Sequence, residues 1–582
     1  MHLLLKAALL SWLGLMVACE DASNEGAPGG QGGASGGGGS GGGAGSTLVC
    51  GQGLAARPGT VLTESGAATA QLAGDTYAFL GLPFAALPFA APPLGELRFK
   101  APAPAACWEG ERDASAFGPR CLQWEGDAIV GDEDCLSLNV WTPKAYAETD
   151  RRPVLVFVHG GGHQAGGSAE TIGGGTRLYD GRRLVEASGA VVVTLNYRLG
   201  PFGFLAHPAL AGEDEHQATG YYGTLDQIAA LQWVQRNVER FGGDPARVLV
   251  FGESAGAVSV CRLLVSPLAK GLFSSALLES GACVATPLAK AEEKGLTVAQ
   301  AVGCEGPNAA ACLRGVSATT LAQTTPSSVD ISAVGRLGYD GVIDGWSVPA
   351  APLELIAQGK HNRVPVAIGN NTAETGSAVP PIMTEEQYQA AVTAYVTSFA
   401  PAGAPGLVDA VLAQYPAASY PTPRAAYVAL TSDVKFVCSA RKAARAIAAA
   451  QTEPVYRFVF SHVADYGSAV TKALGAVHGS ELLYVFGNLD VSTPSGPYVP
   501  GPGDLAVADA FHGYWATFAA SGDPNGGGAT PWPRYDVATD PFLRFDGPAR
   551  VGGRAPHRTV RLLGGARSLS DRALARRGAG GA

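Results

Sequence analysis

The chain has 582 residues, a formal net charge of −9, 47% hydrophobic residues and 16% charged residues. That apolar content suffices for a large buried core. The acidic balance argues against a nucleic-acid binder, whose affinity comes mainly from basic patches.

In chain order, residues 1–18 read as a signal peptide. Lys6 supplies the positive start, and an apolar run over residues 7–18 is too short to persist as a membrane-spanning helix. Met16-Val17-Ala18-Cys19 resembles a bacterial lipoprotein cleavage site and would leave lipid on Cys19; plain signal cleavage near Ala18 is the alternative. Residues 19–46 then form a tether, because 26–46 are nearly all Gly, Ser and Ala and can bury nothing. Residues 47–565 are read as one folded body and 566–582, rich in Ala, Gly and Arg, as a frayed tail. No other apolar run is long enough to span a bilayer. The expected location is outside the cytoplasm: anchored by lipid, or otherwise secreted or periplasmic.

Within the body, continuous apolar runs at residues 154–159, 190–196, 247–252, 275–280, 364–369 and 455–460 read as buried parallel strands. Helical patterns lie between them, as at 225–241 and 257–264. Repeated strand–helix units give a mainly parallel sheet with helices on both faces. Ligands of such sheets bind at the carboxyl ends of the strands.

Ten cysteines in an exported chain point to disulfides. If Cys19 carries lipid, nine remain and at least one thiol stays unpaired. Cys121 with Cys135, and Cys304 with Cys312, could each close a short loop. Cys261 falls in an apolar helical pattern and reads as the unpaired, buried thiol. Metal-site spacing is absent: there is no CxxC and no HExxH, and the ten histidines are scattered. No cofactor is expected.

The chemistry sits at strand ends. Gly252-Glu253-Ser254-Ala255-Gly256 fits G-x-S-x-G directly after a strand and before a helix, the context of a nucleophile elbow. The same pattern at 33–37 and 38–42 lies in the tether and lacks that context. His159-Gly160-Gly161-Gly162 ends an earlier strand. Acyl transfer builds negative charge on a carbonyl oxygen, which backbone N–H groups stabilise, and glycines let the backbone come close. The amides of Gly161, Gly162 and Ala255 are the expected donors.

In these and further motifs the chain resembles the carboxylesterase/cholinesterase family, the type B carboxylesterases, from about Val61 to Tyr535. The resemblance rests on Gly95-Glu-Leu-Arg-Phe99, Glu133-Asp-Cys-Leu-Ser-Leu-Asn-Val-Trp141, Asn196-Tyr-Arg-Leu-Gly-Pro-Phe-Gly-Phe204, Phe241-Gly-Gly-Asp-Pro245 and Phe251-Gly-Glu-Ser-Ala-Gly256. It implies an α/β-hydrolase fold, a large mainly parallel mixed sheet flanked by helices. It also implies a serine carboxylic ester hydrolase that passes through an acyl-enzyme and takes a small-molecule ester. The family's acid loop matches Gly369-Asn-Asn-Thr-Ala-Glu374 and its histidine motif matches Gly475-Ala-Val-His-Gly-Ser-Glu481, which implies a triad of Ser254, Glu374 and His478. Asp340 and Asp344 lie upstream of Glu374 and compete with it as the acid.

The resemblance further implies ion pairs of Arg98 with Glu133 and of Arg198 with Asp226, and disulfides Cys121–Cys135 and Cys304–Cys312. Cys438 matches a family half-cystine without its usual partner, so Cys283 or Cys50 would have to substitute. Glu253 is expected either to add to the negative field of the site or to hold the elbow. Two departures stand out. Residues 82–86 (LPFAA) are repeated at 87–91, which implies an outward loop. His163 stands where the family usually has an aromatic beside the substrate, so it is assigned with Glu253 to the substrate pocket. The remaining readings are a non-catalytic adhesion relative, or a hydrolase of lactones, thioesters or polyesters.

Overall fold

The computed structural model describes Cys50 and residues 57–553, apart from 87–97, 126, 173–174, 326–337, 401–403, 494–495 and 527. The expected signal peptide, Cys19, the expected tether and tail, and the second copy of the duplicated segment lie outside the described residues. No helix among those described is long and apolar enough to cross a membrane.

A 13-stranded sheet organises the chain: twelve strands lie on one continuous path, and a short one, Glu111–Ala114, pairs parallel with Gly66–Ala73 off that path. Its edge begins with an antiparallel meander, β1 (Thr60–Thr63), β2 (Gly66–Ala73) and β3 (Thr76–Pro83). Then come β4 (Ser137–Pro143), β5 (Arg152–Val158), β6 (Val191–Leu195), β7 (Gly243–Glu253) and β8 (Ser275–Glu279). The series continues with β9 (Val366–Asn371), β10 (Val455–Phe460), β11 (Phe542–Phe545) and β12 (Arg550–Gly552). In space the order is β1-β2-β3-β4-β6-β5-β7-β8-β9-β10-β11-β12. From β6 to β11 every pairing is parallel, and the flanking strands pair antiparallel. This is the large mixed sheet of an α/β-hydrolase. The first copy of the duplicated segment runs from β3 into the core, with Phe84 2% exposed.

The continuous apolar runs are explained by burial on both faces. Val154, Val156 and Val158 of β5 join one core cluster, while Leu155 and Phe157, pointing the other way, join the second. Helices α1 (Tyr222–Asn237), α2 (Ala255–Val265) and α4 (Cys438–Ala450) cover the first face through Trp233, Leu263 and Ile447. Helix α5 (Pro502–Ser521) covers the second through Phe511, Trp515 and Phe518. A smaller cluster around Tyr388, Val392 and Leu430 packs α3 (Pro423–Ser432) and its neighbours. The helix expected over 225–241 starts earlier, at Tyr222. Its last four residues tighten into a 3₁₀ turn that ends on left-handed Gly242, at φ +77°.

The two ion pairs implied by the resemblance are buried and brace the frame: Arg98 Nη2 lies 2.5 Å from Glu133, and Arg198 Nη2 lies 2.6 Å from Asp226. Among the described residues, four disulfides join Cys50 to Cys107, Cys121 to Cys135, Cys261 to Cys283, and Cys304 to Cys312. The reading of Cys261 as an unpaired thiol is therefore corrected: the helix buries it, but it faces the loop after β8, where Cys283 meets it. The same pairings engage Cys50 and Cys283 elsewhere, so neither substitutes as the partner of Cys438.

Candidate active site

Strand β7 turns sharply into α2 at Ser254, whose φ of 57° and ψ of −121° lie outside the ordinary range for a side-chain-bearing residue. The flanking glycines permit the turn. A Cβ on Gly256 would lie 1.9 Å from the Val158 carbonyl oxygen, and one on Gly252 would lie 2.6 Å from the Gly256 carbonyl carbon. The Ser254 amide donates to the Glu279 carbonyl at 2.9 Å, fixing the elbow to β8.

The turn after β5 runs beside it. A Cβ on Gly160 would come within 3.0 Å of the Ser254 Cβ, and Gly161 and Gly162 adopt φ of +97° and +64°. Among the described residues, the amides of Gly161, Gly162 and Ala255 donate to no backbone carbonyl. His159 lies beneath the turn, stacked on Tyr197 at 4.5 Å between ring centroids, with Nδ1 2.9 Å from the Gly160 oxygen. Burial pushes its imidazole down to about 4, so it is neutral. The ring of His163 faces Tyr197 and Phe204 and is 3% exposed.

Glu374 follows β9 and is fully buried. One carboxylate oxygen accepts from the Asn371 amide at 2.7 Å, and the other lies 2.7 Å from His478 Nδ1. The His478 amide also donates to the Glu374 carbonyl at 3.2 Å. Thr375 ties this loop to α3 through the Thr431 hydroxyl at 2.6 Å. Phe436 packs on the His478 ring at 4.8 Å between centroids. It belongs to a π-helical turn, Asp433–Val437, between α3 and α4. The other ring nitrogen, Nε2, lies 3.1 Å from Glu253 Oε1, against the elbow. The competing acids are engaged elsewhere. Asp340 accepts from Arg262 at 2.6 Å, and Asp344 caps the turn at the Trp346 and Val348 amides.

Two further acids, overlooked in the sequence, adjoin this group. Glu481 is fully buried and accepts from the Asn371 side chain; Glu279 is fully buried and accepts from Trp515 Nε1 at 3.2 Å. Burial, reinforced by the neighbouring carboxylates, raises Glu253, Glu279 and Glu481 above the ordinary carboxylate range. For His478 burial works against the charge, but Glu253, Glu374 and Glu481 together outweigh it and raise the imidazole to about 9. A signal for Glu279 existed: it is a charge inside an otherwise apolar strand. Glu481 closes the histidine motif itself.

Among the described residues, one set of side chains has metal-ligand spacing, His462, Asp465 and Asp504. The Asp504 carboxylate already accepts from His462, Tyr484, Tyr498 and the Gly501 amide. That is a saturated brace at the start of α5 rather than an open coordination site. His207 caps a short helix, His216 stacks on Trp346, and His512 is buried within α5.

The family model described as the carboxylesterase family matches residues 61–560. The fumonisin B1 esterase of Sphingopyxis macrogoltabida is 37% identical over 488 residues, 81% of this chain and 84% of that protein. The medium-chain fatty acyl-CoA hydrolase precursor of Anas platyrhynchos is 36% identical over 504 residues, 80% of this chain and 84% of its own length. Among solved structures, a PNB esterase superposes with a TM-score of 0.69 at 30% identity, covering 86% of this chain and 98% of that one.

Proposed function

The chain belongs to the carboxylesterase family and is a carboxylic ester hydrolase, and on that premise we propose that Ser254 is its nucleophile, His478 its general base and Glu374 the acid that orients the base. The reading is supported most directly by the 2.7 Å bond between His478 Nδ1 and Glu374, beside an elbow that holds Ser254 at a strained, positive φ.

In the proposed mechanism Ser254 Oγ attacks the ester carbonyl carbon while its proton passes to His478 Nε2. The carbonyl oxygen takes up the negative charge, and the amides of Gly161, Gly162 and Ala255 stabilise it. Removing one such donor typically costs about 10²–10³ in turnover. The C–O bond to the alcohol breaks as His478 returns the proton to the leaving oxygen, leaving an acyl-enzyme. Water then attacks the acyl carbon by the same proton route and releases the acid. Glu374 keeps Nε2 turned to the elbow and stabilises the imidazolium. Glu253 adds its charge from the other side of the ring.

A fluorophosphonate probe tests the assignment: it should label the protein at Ser254, and labelling should vanish in Ser254→Ala. Equal labelling of the variant would place the nucleophile elsewhere. Rates across p-nitrophenyl esters of increasing chain length would define the acyl preference.

The four disulfides suit an oxidising compartment outside the cytoplasm. For the regions beyond the described residues we propose cleavage after residue 18, lipid on Cys19, a tether to 46, the catalytic body to 565 and a tail. Release of active Cys19→Ser enzyme from membranes would support the anchor, and an unmodified N-terminus at another residue would refute it.

A further inference from the structure

We propose that His163 is a positioning residue: its neutral imidazole ties the Gly161–Gly162 turn to helix α2, so that the two sources of oxyanion donors keep one geometry. The inference rests on the reading of Ser254 as nucleophile.

Arg262 on α2 is fully buried, and a guanidinium offers only donors. Its Nη2 lies 2.6 Å from His163 Nε2, so Nε2 accepts and the ring proton is on Nδ1. Nδ1 faces Asp340 Oδ1 at 3.3 Å, an oxygen that also accepts from Arg262 Nη1 at 2.6 Å and from the Gly341 amide at 2.9 Å. The Ser259 hydroxyl, also on α2, accepts from Arg262 Nη2 and Gln227 Nε2, each at 3.0 Å. Its own hydrogen shares the single His163 Nε2 lone pair with Arg262 Nη2, from 3.0 Å. Tyr197 and Phe204 meet the ring edge-to-face, at 6.2 and 5.0 Å between centroids. Both nitrogens are engaged and the ring is packed, so this histidine has no free site for proton transfer with substrate.

The backbone gives the tie its consequence. His163 follows Gly162 directly, holds φ at 58°, and its carbonyl accepts from the Gly200 amide at 2.7 Å. Anchoring its side chain therefore fixes the peptide planes of the turn before it. The third amide, on Ala255, is the first residue of α2, the helix that carries Ser259 and Arg262. The turn comes from the end of β5 and the helix from the end of β7. The imidazole is a polar bridge between them, which a phenyl ring of similar size would fill without bonding.

The experiment compares wild type with His163→Phe and His163→Gln, using p-nitrophenyl butyrate for turnover and a trifluoromethyl ketone as the tetrahedral analogue. His163→Phe should lower kcat by roughly 10- to 100-fold, with KM within about twofold, and weaken the ketone by a similar factor. His163→Gln, which restores an acceptor toward Arg262 and Ser259, should recover part of both losses. Unchanged kcat and ketone affinity in His163→Phe would overturn the inference, as would a loss carried by KM alone. Should His163→Phe fail to fold, Ser259→Ala decides: a drop in kcat and ketone affinity at constant KM supports the tie, and no drop overturns it. Fluorophosphonate labelling of the wild type separates the two claims. Labelling retained in Ser254→Ala defeats the nucleophile assignment, whereas labelling confined to Ser254 with a silent His163→Phe defeats only the tie.

Discussion

His478 Nε2 lies 3.1 Å from Glu253 Oε1 while its Nδ1 lies 2.7 Å from Glu374 Oε2, so one imidazole is held between two buried carboxylates. Burial alone would lower its pKa; the carboxylates outweigh it, Glu253 foremost, and raise it from 6.5 to about 9. With His478 as the proposed base, an imidazolium cannot accept the serine proton, so activity should be present above the raised pKa and lost as pH falls through it. The acid limb of kcat/KM is therefore expected above pH 6.5. Glu253→Gln removes the strongest attraction and keeps the shape, so the limb should move to lower pH, by on the order of one unit. A limb that stays in place would take Glu253 out of the electrostatics of the base.

Glu374→Gln should fold normally but lose about 10⁴-fold in turnover, because the amide no longer holds the imidazole in its working tautomer. Asp344→Asn should do the reverse. Its carboxylate accepts from the Trp346 and Val348 amides, so the variant should lose about 1 kcal/mol of stability and retain most of its turnover. Kinetics and thermal melts of the two variants decide between them; the opposite pattern would make Asp344 the triad acid.

Gly256→Ala forces a methyl group toward the Val158 carbonyl, a backbone atom that cannot move without parting β5 from α2. A loss of about 1–3 kcal/mol is expected. Gly513, exposed in the middle of α5 with nothing within 4 Å of an added Cβ, is the control. Gly513→Ala should stabilise the protein by about 0.5–1 kcal/mol through helix propensity. Urea titration of both variants tests the pair.

The Cys261–Cys283 disulfide spans 22 residues and is buried, Cys261 at 0% and Cys283 at 3% exposure. Replacing both by Ala should lower the unfolding free energy by about 3 kcal/mol in the chain-entropy model. In the native enzyme the bond should resist mild reductant that opens accessible disulfides. An unchanged denaturation midpoint in the double variant would show that the bond adds nothing.

What the sequence determined by itself is whatever short-range pattern encodes. The apolar runs specify the buried strands because a strand covered on both faces has no polar side to present. The elbow at Ser254 was legible for a similar reason, since strand, tight turn and helix lie within a few residues and Gly252 and Gly256 stand where a Cβ would collide with backbone. The apolar pattern does not reach the start of α1, because Gly223 and Thr224 interrupt it between Tyr222 and Leu225. Tertiary structure decided which distant groups meet. Cys261 reads as unpaired in the sequence because a helical pattern reports burial but not what lies opposite, and only the packing of α2 on the loop after β8 brings Cys283 to it. Glu279 lies 236 residues before Trp515, its indole partner, and neither carries a local sign of the other. His163 shows the same limit most clearly. Its place after the glycines is written in the chain, but its tautomer and bonds depend on Arg262 and Asp340, which β7, α2 and a later loop deliver through the close packing of the sheet.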